Sequence, residues 1–300
     1  MFAIVEALKA PIRRRFRAAR RSRLLSGLDL EGKGLEIGPS HTPLLPKRDG
    51  YDIEIIDHSS ADRLRQIYKN NPLVDVSRIE EVDYVSGGRS IAETINKPGH
   101  YDYIVASHVI EHMPSLLGFL LDCETLLKPN GLLSLAVPDM RYCFDVFQSR
   151  STTGDVLEAS LAPPHRARAA AVFDYWANRA HRRRQPTWRR FSGGALHRVN
   201  AIADAKSQFD AYVASNDHVD CHVWRFVPSS FRLITKDLNE LDLLQLRECE
   251  FHAPGGLEFF VKLSRAGLGV TESRDALSLR ALRELRSIRL RSMRSAANRG

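Results

Sequence analysis

Residues 34–58 read GLEIGPSHTPLLPKRDGYDIEIIDH. Two short apolar runs, Gly34–Gly38 and Ile53–Asp57, enclose a loop rich in proline and charge, and runs of this length bounded by turn residues read as buried strands. The first ends in a glycine and the second in an acid, nineteen residues apart. In an open parallel sheet that spacing puts an approachable backbone and a carboxylate at neighbouring strand ends, where such sheets bind their ligands.

The alternation continues downstream. Ile79–Val82, Tyr103–Ala106 and Leu132–Val137 read as further strands. Ser60–Lys69, Ser90–Asn96 and Met113–Leu127 read as the helices between them, the last stopped by the turn signal Lys128-Pro129-Asn130-Gly131. Strands alternating with helices predict an α/β architecture. Residues 147–220 break the rhythm. They are rich in Arg, Ala and His and punctuated by Pro163-Pro164 and Gly193-Gly194, so a helical insertion or lid is expected there. Beyond it, Pro228-Ser229-Ser230 caps a helix running to about Glu240, and Leu243–Phe251 and Leu257–Leu263 flank Ala253-Pro254-Gly255-Gly256 as an antiparallel hairpin. The expected fold is a mostly parallel seven-stranded sheet ending in that hairpin. Its parts are a basic helix over 1–27, a cofactor-binding core over 28–146, the insertion over 147–220, the end of the core over 221–265, and a basic helix or tail over 266–300.

At 300 residues and 43% hydrophobic content the chain can bury a full core. No apolar run approaches the roughly 18 residues of a membrane span, and the first residues lack the pattern of a secretory signal, so a cytoplasmic location is expected. Cys123, Cys143, Cys221 and Cys249 form no CxxC pair, which excludes a zinc ribbon or a dithiol redox motif. The net charge of +8 is concentrated in three segments. Residues 1–27 carry eight Lys/Arg against Glu6, residues 165–198 nine Arg against Asp174, and residues 273–300 eight Arg against Asp275 and Glu284. The rest of the chain is net acidic, so the basic parts read as appendages. Phe2, Val5 and Leu8 ahead of the first Arg cluster suggest an amphipathic surface helix, broken near Pro11, that could touch a membrane surface, though its short apolar face favours a solvated helix packing one face on the domain.

The residues placed to do chemistry sit at strand ends. Glu36 and Gly38 close the first strand, with Ser40 just beyond. Asp57 and His58 close the second, and a carboxylate there can accept from two ribose hydroxyls at once. Asp83 and Tyr84 follow the third expected strand, suited to an adenine amino group and its ring face. Ser107 and His108 follow the fourth, leading to Glu111 and His112. Each has a structural reading as well, Gly38 as a turn and Asp57 as a helix cap. Their order and spacing together carry the signal.

With these residues in view, the chain resembles the class I S-adenosylmethionine-dependent methyltransferases, including quinone-pathway and surface-glycan enzymes, over roughly residues 33–140 and 228–264. The stretches that carry it are GLEIGPSHTPLLPK, IEIIDHSS, EVDY, YDYIVASHVIEHMP and LLKPNGLLSLAVPD. The resemblance implies a Rossmann-like sheet and S-adenosyl-L-methionine as cofactor. It implies that Glu36 and Gly38 hold the methionine end, Asp57 the ribose and Asp83 the adenine, with Ser107 and His108 beneath the sulfonium. The usual GxGxG is absent, since Pro39, Ser40 and Thr42 follow Gly38. That departure argues against a dinucleotide, whose pyrophosphate needs those glycines.

His108-Val109-Ile110-Glu111-His112 also matches HxxEH, an inverted zinc-protease motif, which would need His108 and His112 on one helix face. A strand ending at Ala106 argues against that zinc hydrolase, and no metal ligand set is expected. In the methyltransferase reading, His112 and Glu111 are the catalytic candidates, with His112 as base or orienting group. The alternative is that they cap or pack the next helix. His218 and His222 could ligate a metal at helical spacing, though a loop is the favoured reading. Asp139, Arg141 and Tyr142 lie where they could meet an acceptor, unless Arg141 pairs with a structural acid. The acceptor expected from family analogy is a small molecule or a saccharide hydroxyl. A nucleic-acid partner is the weaker reading, because only Phe173, Tyr175, Trp176, Trp188 and Phe191 interleave with basic residues, and these read better as the insertion's own core.

Overall fold

The computed structural model describes residues 17–72, 74–161, 166–188, 192–215, 219–253 and 256–297, with side chains to residue 287. Residues 17–25 form a helix, α1. Then follow β1 (Gly34–Ile37), β2 (Ile53–Asp57), α2 (Ala61–Tyr68), β3 (Tyr84–Val85), α3 (Ile91–Ile95), β4 (Tyr101–Ser107), α4 (Leu116–Leu126) and β5 (Leu127–Pro138). The next stretch holds α5 (Thr153–Ser160), α6 (Ala169–Asn178), β6 (Ala180–Arg182), β7 (Leu196–Arg198) and α7 (Ile202–Ala214). The chain then returns to the sheet through α8 (Pro228–Glu240), β8 (Arg247–His252) and β9 (Glu258–Ser264), and ends in α9 (Arg274–Ala297).

The seven strands lie in the order β3-β2-β1-β4-β5-β9-β8. Neighbours are parallel through β5, and β9 runs antiparallel to both β5 and β8. This is the α/β sheet with a terminal antiparallel hairpin that the sequence predicts. Continuous apolar runs make the central strands, because both faces are covered by helices. In β4 all residues but Asp102 and Ser107 are buried. Side-chain caps set the helix starts: Ser60 accepts from Arg63 N, Ser90 from Glu93 N and Ser115 from Gly118 N. At Gly34 a Cβ would lie 2.3 Å from the Tyr103 ring, so only glycine lets β1 pack against β4 there.

Several boundaries differ from the sequence reading. The third strand is Tyr84–Val85, not Ile79–Val82. Ile79 and Val82 instead pack with Ala61, Leu64 and Tyr68 of α2, so burial against a helix, rather than sheet pairing, uses their apolar side chains. Lys128–Gly131 extends β5 instead of making a turn. The hairpin's first strand begins at Arg247 rather than Leu243, and Pro254 and Gly255 of its turn lie outside the described residues.

The basic ends are not mere appendages where they are described. Leu24 and Leu25 of α1 are buried with Leu45, Ile53, Tyr103 and Phe260, and the Leu24 carbonyl accepts from Ser134 Oγ at 2.7 Å. Leu277 and Ala281 of α9, one turn apart, are buried, and Glu284 accepts from Ser229 N and Oγ at the start of α8. Each helix buries one apolar stripe; Arg17 and Arg21 of α1 and the described arginines of α9 stay exposed while Arg20 turns in to Glu258, which net charge alone could not reveal. Phe2, Val5, Leu8 and Pro11 lie outside the described residues. Among the described residues no helix is long and apolar enough to cross a membrane.

Candidate active site

The sheet order reverses between β1 and β4: from β1 the chain runs outward to β2 and β3, then crosses to β4 on the other side. A crevice opens beyond the carboxyl ends at such a switch point. Gly38 leaves β1 at φ +61°, and a Cβ on it would meet Val109 Cγ2 at 3.0 Å, so glycine lets the two strand ends close on each other. Ser40 follows with φ +48°. Its amide donates to Asp57 Oδ2 at 3.0 Å, while Asp57 Oδ1 accepts from His58 N at 2.7 Å and lies 2.7 Å from His58 Nδ1. The contact with Asp57 raises the His58 imidazole above its ordinary range against the opposing effect of burial. Gly38, Ser40, Asp57 and His58 are thus brought together.

Glu36 is placed differently from the expectation that it holds the cofactor's methionine end. Its carboxylate is buried and accepts from Leu44 N at 2.8 Å and Leu45 N at 3.2 Å, so it shapes the loop after β1. Burial pushes it up from 4.5 to about 7, against the pull of those two amides. Between these values the folded chain holds a proton that the unfolded chain has released. The stabilisation is therefore fully present below pH 4.5 and lost as pH rises through about 7. Glu36→Gln removes this linkage. The stability difference between wild type and variant in urea is expected to shift by on the order of 3 kcal/mol from pH 4 to pH 8. Parallel pH profiles would show that Glu36 does not titrate in this window.

Asp83 and Tyr84 stand before and within β3 rather than after it. Asp83 Oδ2 accepts from Ile55 N at 2.7 Å and from Lys47 Nζ at 2.6 Å. Tyr84 Oη donates to Glu54 Oε2 at 3.1 Å, and Lys97 Nζ lies 5.4 Å from its ring centroid. Both are engaged in the β2 edge, and the carboxyl end of β3 is instead Ser86-Gly87-Gly88. The two-residue strand was too short to locate from its pattern.

Beyond β4 the chain turns sharply. His108 takes φ +56°, and Ile110–His112 forms a single 3₁₀ turn. No helix presents His108 and His112 on one face, so the zinc-protease reading of HxxEH loses its geometry. His108 Nε2 lies 2.8 Å from Glu258 Oε2 and its Nδ1 3.4 Å from Glu111 Oε1. Burial disfavours charge on this ring, but the two carboxylates outweigh it and raise it to about 9. Arg20 of α1 reaches the same place, donating to Glu258 Oε1 at 2.8 Å and to Ser107 Oγ. Glu111 is fully buried. Burial pushes its carboxyl up, yet the imidazoles of His108, His222 and His112 hold it below the ordinary carboxylate range.

The structure adds partners to this turn, of which the sequence singled out only His222, as a possible metal ligand with His218, and Tyr175, as part of the insertion's core. Val223 N and Trp224 N donate to the Glu111 carbonyl at 2.7 and 3.0 Å, bringing the segment after the insertion against the 3₁₀ turn. His222 thereby stacks edge-on to His112 with centroids 4.7 Å apart, and Phe144 and Tyr175 pack on its ring. Asp145 lies 2.5 Å from His222 Nδ1 and Asp220 2.6 Å from His112 Nδ1. No local spacing in the sequence links Asp145 to His222. His218 lies outside the described residues. Arg141 pairs with the buried Asp139 at 2.5 Å, the structural alternative for that residue.

A parallel sheet with a carboxylate at the end of β2, no phosphate-binding glycine run and a reversed last strand defines a Rossmann-like methyltransferase fold. The sequence profile of the family described as Methyltransferase domain matches residues 11–204, more than half the chain, and the chain belongs to that family. It is an S-adenosylmethionine-dependent methyltransferase. No curated protein matches its sequence significantly. Among solved structures it is similar to a Rhodobacter sphaeroides chain provisionally described as a zinc-dependent alcohol dehydrogenase, at 14% identity over 82% of this chain and 89% of that one, TM-score 0.45. S-adenosylmethionine-dependent methyltransferases from Methanosarcina mazei (12% identity, 79% and 94% covered, TM-score 0.39) and Aquifex aeolicus (13%, 81% and 91%, TM-score 0.38) are similar too. At such values the likenesses carry no weight, and the assignment rests on the family match.

Proposed function

We propose that this chain methylates a hydroxyl of a small molecule or saccharide, in a cytoplasmic setting. In this reading Asp57 holds the cofactor's ribose, Gly38 and Ser40 line its methionine side, and His58, Ser107 and His108 complete the pocket wall. S-adenosylmethionine supplies the methyl group on its sulfonium. Glu111 and His112 face the acceptor. The observation that carries the reading is the His–carboxylate cluster just beyond β4, because a hydroxyl acceptor needs help in losing its proton whereas an ionised carboxylate needs none. The insertion over 147–220 acts as a lid: Tyr175 of α6 packs on the His222 ring at its base. Methyl transfer is an in-line displacement, so alignment and exclusion of water are the protein's main tasks. Free, buried Cys123, Cys143 and Cys221 suit a reducing compartment.

The nucleic-acid reading finds little support. Arg166 donates to the Tyr212 and Ser215 carbonyls, Arg168 pairs with Glu158 at 2.8 Å, and Arg179 and Arg198 lie over Phe144 and Phe147. Phe173 packs on Phe209, and Trp188 donates to the Arg141 carbonyl. These arginines and aromatics are used inside the chain. Incubation with methyl-labelled cofactor and pooled sugar, phenol and RNA acceptors tests the reading. Label on an oxygen of a small acceptor is the expected result, and label on RNA or on nitrogen would overturn it.

A further inference from the structure

We propose that Glu111, His112 and His222 bind one divalent transition-metal cation beside the acceptor, a departure from the metal-free site that the sequence suggests. Three observations point to it. The Glu111 carboxylate is fully buried, neither oxygen has a partner in hydrogen-bond geometry, and the His108 ring, its charged neighbour, stands off at 3.4 Å. A buried carboxylate without such partners is costly unless a cation compensates it. Next, His112 Nε2 and His222 Nε2 converge on Glu111 Oε1 from 3.9 and 4.0 Å. An imidazolium paired directly with a carboxylate comes to about 2.8 Å, as His222 Nδ1 does with Asp145 at 2.5 Å. The gap on the Glu111 side is instead wide enough to admit an ion, since two tetrahedral ligands at about 2.1 Å from a metal stand about 3.4 Å apart. Finally, both rings have a carboxylate near the opposite nitrogen: Asp145 hydrogen-bonds His222 Nδ1, and the exposed Asp220 lies 2.6 Å from His112 Nδ1 without hydrogen-bond geometry. Asp145 is itself fixed by Gln148 Nε2 at 2.7 Å. A carboxylate on Nδ1 sets the tautomer that leaves the Nε2 lone pair free for an ion.

The candidate ligand atoms all lie within 4.8 Å of one another, so closing on an ion takes a contraction of about half an ångström for the two pairs with Glu111 and of up to about 1.4 Å elsewhere. Two imidazoles and one carboxylate suit Zn²⁺, Mn²⁺, Fe²⁺ or Co²⁺ better than Mg²⁺ or Ca²⁺, which prefer oxygen throughout. Three protein ligands leave a coordination position open, and the His112 ring is the one of the three that is only half-buried. An acceptor hydroxyl occupying that position becomes more acidic, which gives the cluster the task otherwise assigned to a histidine base. This role rests on the methyl-transfer reading; binding of the cation does not.

The test uses the purified full chain, stripped with a chelator and titrated with Co²⁺ as an optical probe, with Zn²⁺ as competitor. Wild type is expected to take up about one Co²⁺ per chain, displaced by Zn²⁺. Glu111→Gln and His222→Gln are expected to lose at least ~100-fold in affinity, and Asp145→Asn ~10- to 100-fold. Calorimetry with S-adenosylhomocysteine on the same samples reports folding and the cofactor site separately. Co²⁺ binding without cofactor binding would overturn the methyl-transfer reading and leave the cation site standing. Wild-type protein that binds no stoichiometric Co²⁺, or variants that bind it as wild type does, would overturn the site.

Discussion

Asp57→Ala is expected to weaken binding of S-adenosylmethionine and S-adenosylhomocysteine by ~100- to 1000-fold while the chain stays folded. The carboxylate offers about four acceptor positions. Two are taken by the amides of Ser40 and His58 and a third by the exposed His58 ring, so a pair of ribose hydroxyls takes the remaining position and the one that the His58 ring gives up. Hydrogen bonds to a charged acceptor contribute about 1.5–3 kcal/mol each, and losing two such bonds at the lower end of that range, one of them at the expense of the His58 contact, translates to the stated loss of affinity. Asp57→Asn keeps one oxygen as acceptor and the side-chain volume, so a drop of ~10-fold is expected from it. The alanine variant also frees the Ser40 amide, for a stability loss of about 1–2 kcal/mol, small enough for calorimetry to be run on folded protein. Binding by Asp57→Ala within threefold of wild type would place the cofactor elsewhere. Glu36 is the instructive contrast, because its oxygens face Leu44 and Leu45 rather than the crevice.

How much of this was legible in the sequence follows from what each signal reports. β1, β2 and β4 were readable because a strand buried on both faces must be apolar along its length, and Ser60 and Ser90 were readable because a helix start needs a side-chain acceptor. β3 was not, since Ile79-Glu80-Glu81-Val82 fits a strand and a helix-packing loop equally well, and the contacts with α2 decided for the loop. The placement of Asp83 and Tyr84 failed with it. His108–His112 carries an established motif for a helix, but the chain enters it from β4 through a left-handed His108, so the same letters make a turn. The partners of that turn are remote: His222, Asp145 and Asp220 arrive only because the segment after the insertion docks on the Glu111 carbonyl. Leu24 and Leu25 pack one face of α1 on the domain, the favoured reading of that segment, whereas the charge pattern hides the anchors of α9, Leu277 and Ala281, which are outnumbered by arginines.

That docking makes Trp224 the position where stability and chemistry meet, and Trp224→Ala is expected to cost about 4 kcal/mol. Its indole is fully buried and donates from Nε1 to the Met113 carbonyl at 2.6 Å. Its amide holds the Glu111 carbonyl at 3.0 Å, and the Arg168 guanidinium lies 5.6 Å from its ring centroid. Truncation leaves a cavity between the turn after β4 and the insertion and frees a buried carbonyl, so a fall in Tm of about 8–12 °C is expected. Trp224→Phe fills most of the space but loses the donor, and about 1–2 kcal/mol is expected from it. The two variants should also separate the halves of the site. Asp57 and Ser40 are held by β1 and β2, so cofactor affinity is expected to stay within about threefold in Trp224→Phe, whereas turnover falls because Glu111, His112 and His222 depend on the turn that Trp224 pins. Equal losses in both would mean that the two halves are not independently supported. Unchanged turnover in Trp224→Phe would mean that the two backbone amides on the Glu111 carbonyl fix the turn without the indole donor.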